Sequence, residues 1–196
     1  MTMQTAFIST ETFTQKAFKR WLDERPRWDM NRYELLRGRI VMSPPAGWPH
    51  APVGVNILTP LAVFVRTNKL GLVLESSAGY DLPSGDTVGP DISFISTARL
   101  AAGPAPQYGK FIYIVPNLAV EILSEATAQR DRTEKKTIYA ENGVEEYWIV
   151  DTKRHEITVY TLSGKRFGRG MAYTKRDTLR SRVLAGFTLA VNEVFV

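Results

Sequence analysis

Asp91, Glu121 and Lys135 are the residues in this chain whose types and spacing could do chemistry. Asp91 follows Gly89-Pro90 and opens an apolar run, Ile92-Ser93-Phe94-Ile95. An acid there either caps a turn or serves as a ligand held rigidly at a sheet edge. Glu121 stands inside Leu118-Ala119-Val120-Glu121-Ile122-Leu123, a stretch apolar on both faces, which suits a strand covered on both sides. A carboxylate in such a strand is costly unless it is paired, protonated or bound to a metal. Both acids are hard oxygen donors, which suit Mg²⁺ or Mn²⁺. If their strands are neighbours, the two carboxylates can share one ion, which would polarise a phosphodiester and acidify a water. Lys135 follows Asp131 by four residues, the spacing of an ordinary surface ion pair on a helix. The alternative is that it points back over the strand ends, orients the attacking water and neutralises developing charge. Lys136 offers the same charge on a neighbouring face.

These residues need a scaffold. Residues 116–124, 128–142 and 143–151 read as strand, helix, strand, and a crossover of that length makes the two strands parallel. Thr10 to Glu24 reads as a helix capped by Thr10, with Phe13, Ala17, Phe18 and Trp21 on one stripe. Tyr33 to Leu36 and Arg39 to Met42, joined by Arg37-Gly38, form a tight hairpin. Ser43 to Pro49 is a loop by composition. His50 to Asn68 predicts a helix that Pro60 should kink or interrupt. Leu72 to Ser77, Gly79 to Pro83 and Asp91 to Ser96 predict strands, and Thr97 to Ala102 a short helix. His155 to Leu162 alternates as a strand that Arg166 to Thr174 can pair with. The apolar tail from Val183 to Val196 is expected to cover a sheet edge. Hairpins with one crossover argue for a mixed central β-sheet flanked by helices, an α/β or α+β core.

Composition sets further bounds. The chain has 196 residues, 44% of them hydrophobic, enough for one domain, 1–196, with a sizeable core. It has no cysteine, which excludes disulfides and thiolate sites. No apolar run approaches the roughly 20 residues of a membrane span, and the start lacks the layout of a signal peptide, so a cytoplasmic protein is expected. The formal charge of +5 favours polyanionic partners, nucleic acid first among them. Late basic residues, including Lys153, Lys165, Arg166, Arg176 and Arg182, form either a solvated strand surface or a phosphate-contacting face.

Gly89-Pro90-Asp91, followed by Val120-Glu121-Ile122-Leu123-Ser124, resembles the PD…(D/E)xK nuclease superfamily. The ordered set Tyr33-Glu34-Leu35-Leu36-Arg37-Gly38, Pro90-Asp91, Glu121-Ile122, Asp131…Lys135…Tyr139 and Glu146-Tyr147-Trp148-Ile149-Val150-Asp151 resembles the Uma-type family of candidate restriction endonucleases over most of the chain. The resemblance implies a restriction-endonuclease-like core, a Mg²⁺ or Mn²⁺ ion held by Asp91, Glu121 and the Ile122 carbonyl, and DNA as the expected substrate. The superfamily's lysine stands two residues after the acid, where this chain has Leu123; the resemblance moves its role to Lys135. It adds Glu34 as a further acid and matches His50, which as a lone histidine reads equally well as a cap or a surface residue. A homodimer would suit cleavage of both strands of a duplex. A non-catalytic nucleic-acid-binding module on the same fold is the rival expectation. The chain departs from the family at Glu125-Ala126 and at Glu145, in loops rather than at the proposed ligands.

Overall fold

The structure is a computed structural model that describes residues 7–196. A short strand, β1 (Phe7–Ile8), precedes helix α1 (Gln15–Asp23), then β2 (Arg32–Leu36) and β3 (Arg39–Ser43). Helix α2 (His50–Thr67) is followed by β4 (Gly71–Glu75), β5 (Tyr80–Asp81), β6 (Thr87–Val88), β7 (Ile92–Ser96) and helix α3 (Thr97–Ala102). Strand β8 (Leu118–Ile122) leads through α4 (Ala128–Arg130), a π-helical turn (Asp131–Lys135) and α5 (Lys136–Glu141) into β9 (Glu146–Asp151). The rest is β10 (Glu156–Ser163), β11 (Arg166–Phe167), β12 (Met171–Thr174), β13 (Thr178–Arg180), β14 (Thr188–Ala190) and a 3₁₀ turn (Val191–Glu193).

The central sheet runs β11-β10-β9-β8-β7-β4, with β12 also on β10. Among the described strands of this sheet, only β8 and β9 pair in parallel, as the crossover demands. Strands β7 and β8 are antiparallel neighbours, with Ile92 opposite Val120, which places Asp91 beside Glu121 at one end of the sheet. A second sheet, β1-β3-β2-β6-β5, carries the Arg37-Gly38 hairpin. Both turn residues have positive φ, 51° and 76°, the backbone a two-residue hairpin loop requires.

The alternation of β8 divides the core. Leu118, Val120 and Ile122 face α2 and the C-terminal segment. Ala119 and Leu123 face α5 and the second sheet, so Glu121, of the same parity, points to that side as well.

Several expectations need correction. Helix α1 begins at Gln15, capped by Thr14 rather than Thr10: the Thr14 hydroxyl accepts from the Ala17 N–H at 3.2 Å. Pro60 does not interrupt α2, which runs unbroken through it. Val53, Ile57, Leu61 and Val65, spaced i,i+4, press that helix onto the core, and packing outweighs one lost hydrogen bond. Between the strands expected at Gly79 to Pro83 and Asp91 to Ser96 lies a further short strand, β6, which pairs with β5 and β2. The tail covers a sheet face, not an edge. Leu184, Phe187, Leu189, Val191 and Val194 join α2 in the larger core, and Asn56 ties α2 to the Val194 carbonyl at 3.1 Å.

Gly71 opens β4 with φ of 149°, and a Cβ there would meet the Ile95 carbonyl oxygen of the paired strand. Gly71→Ala is therefore expected to cost about 2–4 kcal/mol, read as a lower urea midpoint with unchanged slope.

Candidate active site

The ends of β7 and β8, the middle of β2, the start of α2 and the π-helical turn meet around one small cavity of about 40 Å³. Glu34, His50, Asp91, Glu121, Ile122 and Lys135 all line it. Lys136 does not. It turns outward, with its ammonium 3.7 Å from the Tyr160 ring centroid, and lines a shallow surface hollow with Arg132, Lys165 and Arg166. The choice between two adjacent helical lysines is settled by which face meets the sheet.

Lys135 is not one half of a surface pair. It is 2% exposed, as is Asp131. Its Nζ lies 2.6 Å from Glu121 Oε1, 2.8 Å from Glu34 Oε1 and 3.9 Å from Asp131 Oδ1. Burial works against its charge, but these three carboxylates outweigh it and raise the ammonium's pKa, so Lys135 stays a cation. Glu34 also accepts the Gly89 N–H at 2.8 Å and so links the lysine to the turn that carries Asp91. The wide π-helical turn sets Asp131 and Lys135 side by side over the strand ends, the kind of local irregularity that recurs at functional sites.

Asp91 accepts from Arg32 Nη1 at 2.7 Å on one oxygen and from the Ile122 N–H at 2.7 Å on the other, which also lies 3.2 Å from His50 Nε2. Burial opposes ionisation, yet His50, Arg32 and the Ile122 N–H hold the carboxyl down at about 2. Glu121 behaves oppositely. Burial, with Asp131, Asp91 and Glu34 nearby, pushes its carboxyl well above the ordinary range despite Lys135. Its Oε1 also accepts the Tyr139 hydroxyl at 2.6 Å, and its Oε2 has no hydrogen-bond donor among the described residues. Burial likewise lifts Asp131 to about 6.

Sequence reasoning missed Arg32 and Tyr139, and it cast Asp131 only as a surface partner. The signals were present. Arg32 is two residues before Glu34 on β2, hence on the same face, and Tyr139 is four after Lys135 on the helix.

Four carboxyls (Glu34, Asp91, Glu121 and Asp131) face two permanent side-chain cations, Arg32 and Lys135, in this cavity. Fully ionised, the cluster holds two uncompensated negative charges, the charge of one divalent cation. Among the described residues no three His, Asp or Glu side chains form a ligand set by themselves. Two carboxylates beside a backbone carbonyl are the donor chemistry that a hard divalent ion takes.

The raised acids give stability a definite pH sign. A carboxyl with a raised folded pKa keeps a proton that the unfolded chain releases, so stability falls as pH rises from about 4 through the folded value. For Asp131 alone this is on the order of 1 kcal/mol between pH 5 and pH 8. Asp91 has the opposite sign, but its window lies below about pH 4. The metal-free protein is expected to melt at a higher temperature at pH 5 than at pH 8, with Mg²⁺ closing the gap at pH 8. Calorimetric scans with and without the ion check both.

A mixed sheet that sets two acid-bearing strand ends beneath a buried helical lysine makes this an α+β protein with one acidic cavity at the sheet end. The chain matches, over residues 17–192, the family Uma2, described as "Putative restriction endonuclease", and it belongs to that family. Its fold is similar to that of a crystal structure described as "a putative nuclease belonging to DUF820" from Anabaena variabilis. The TM-score is 0.77 at 16% identity, over 93% of this chain and 97% of that one. No curated protein matches. No helix among the described residues is long and apolar enough to cross a membrane.

Proposed function

We propose that this protein is a divalent-metal-dependent endonuclease that hydrolyses DNA phosphodiester bonds in the cytoplasm. The observation that carries the reading is the Lys135 ammonium, buried between Glu121 and Glu34 above the Asp91 strand end, in a cluster that carries two excess negative charges when fully ionised. Asp91, Glu121 and the Ile122 carbonyl would hold Mg²⁺ or Mn²⁺. The ion supplies Lewis acidity toward the phosphate and a lowered pKa for water.

The chain's own groups do the rest. Lys135 is a permanent cation, so it cannot take a proton from water at neutral pH; it donates hydrogen bonds and offsets charge growing on the phosphate oxygens. Glu34 positions Lys135, and Tyr139 positions Glu121. The Arg32 guanidinium, fixed by Asp91 and the Gly89 carbonyl, holds the Asp91 carboxylate ionised and sits where a substrate phosphate would approach. A two-fold dimer would present two such sites to the two strands of a duplex.

The Arg32–Asp91 pair also favours a second reading, a non-catalytic nucleic-acid-binding module in which arginine and lysine permanently neutralise the acids. Incubation with supercoiled plasmid separates the two. Nicking in Mg²⁺ or Mn²⁺ that EDTA stops is the result expected of the enzyme. Retarded plasmid with no nicking in either ion would favour the module.

A further inference from the structure

Beside the small acidic cavity lies a larger hollow of about 480 Å³ that shares Ala46, His50 and Ser124 with it. Pockets that hold small organic groups run about 300–1,000 Å³. Trp48 lines this hollow from the loop between β3 and α2, and the residue is 81% exposed. A single exposed indole is ordinary on a protein surface; what distinguishes Trp48 from the equally exposed Trp28 is its place in the lining of a hollow that adjoins the acidic cavity. Pro49, Leu123 and Ala128 complete the apolar lining.

The hollow's charges cancel internally. Lys153 bonds Glu125 at 2.5 Å, and Arg132 bonds Asp151 at 2.6 Å. These pairs leave the hollow's charged lining with no net charge to draw a phosphate, whereas a flat, neutral, aromatic group needs none. Such groups adjoin every phosphodiester in a nucleic acid. Stacking on an exposed indole needs an unpaired base, because both faces of a paired base are covered in a duplex.

Resting on the nuclease reading, we propose that Trp48 is a stacking platform for an unpaired nucleobase next to the scissile phosphate. The substrate class is then single-stranded or locally opened DNA, rather than an intact duplex. Trp48 acts on binding and strand preference and takes no part in the bond-breaking step.

Binding without cleavage tests this separately from catalysis. Labelled 12-nucleotide single strands and the matching duplex are titrated in EDTA by fluorescence anisotropy. Base–aromatic stacking is worth about 1–3 kcal/mol, or roughly 5–150-fold in affinity. Wild type is expected to favour the single strand. Trp48→Ala is expected to lose about 5–150-fold for it, with little change for the duplex, while Trp48→Phe keeps most of the affinity. The single strand should also quench wild-type tryptophan fluorescence, with most of that quench absent in Trp48→Phe. Trp28→Ala, at an equally exposed tryptophan outside the hollow, should behave as wild type.

Equal losses for single strand and duplex in Trp48→Ala, equal affinities of Trp48→Ala and wild type, or no binding of single strands by wild type would each overturn the proposal. Trp48-dependent binding without metal-dependent nicking would sustain the platform and defeat the nuclease reading. Nicking that ignores Trp48 and prefers duplex would do the reverse.

Discussion

Glu121→Gln is expected to lower metal-dependent DNA cleavage by about 10³-fold or more while leaving the protein as stable as wild type, or more stable, at pH 8. The activity loss follows from removing one of two anionic ligands at a site where charge stabilisation is typically worth 10²–10³-fold per donor. The stability gain follows from the environment. Glu121 is 3% exposed, and the pressure on it toward protonation comes from burial beside Asp131, Asp91 and Glu34. Glutamine keeps the shape and an acceptor for Tyr139, and Lys135 retains Glu34 and Asp131.

Asp91→Asn should lose cleavage to the same degree with the opposite stability sign. It leaves Arg32 without its 2.7 Å partner and weakens the acceptor for the Ile122 N–H, a cost of about 1–3 kcal/mol. Chemical denaturation at pH 8 and plasmid nicking on the same preparations measure both. Two acids equal in activity but opposite in stability would fit a ligand pair held in unlike environments. Equal destabilisation by both would mean that Glu121 is a structural partner of Lys135 and no more.

Lys135→Met is expected to be the most damaging single change at the site. It strands Glu34, Glu121 and Asp131 in a buried space without their shared cation, and breaking a buried pair from one side costs about 3–5 kcal/mol. For a chain of this length that is a fall in melting temperature of roughly 6–20 °C. The deficit should shrink at pH 5, where protonation of the raised carboxyls relieves the repulsion. A Lys135→Met protein as stable as wild type at pH 8 would show that the carboxyls are already protonated and that the charge argument fails.

Much of the scaffold was legible because its signals are local. Leu118 to Ile122 is apolar on both faces and Glu146 to Asp151 nearly so, and the 128–142 crossover forces them parallel. That order, with Asp91 opening the preceding apolar strand, puts two acids at one sheet end if the strands are neighbours, and β7 and β8 are. What failed to show was long-range. The Asp131–Lys135 spacing is the same for a solvated pair and for a buried one. Burial is decided by the β2–β3 hairpin, which brings Glu34 to the lysine from about a hundred residues away in sequence. Arg32 went unnoticed because its partner, Asp91, is 59 residues distant. The tail has no clean period because it contributes one short strand, β14, paired to β13 just before it, and a 3₁₀ turn, with side chains that fill gaps beside α2. At Pro60 the interruption does not occur, because packing along α2 outweighs one backbone bond.

The central claim is that Asp91 and Glu121 hold a divalent ion beneath Lys135. Calorimetric titration of Mn²⁺ and Mg²⁺ into wild type and Glu121→Ala at pH 8 tests it most directly, because binding is read without a substrate. The account predicts saturable binding by wild type that the substitution removes, in a variant that remains folded. Undiminished binding by Glu121→Ala, or none by a folded wild type, would contradict it.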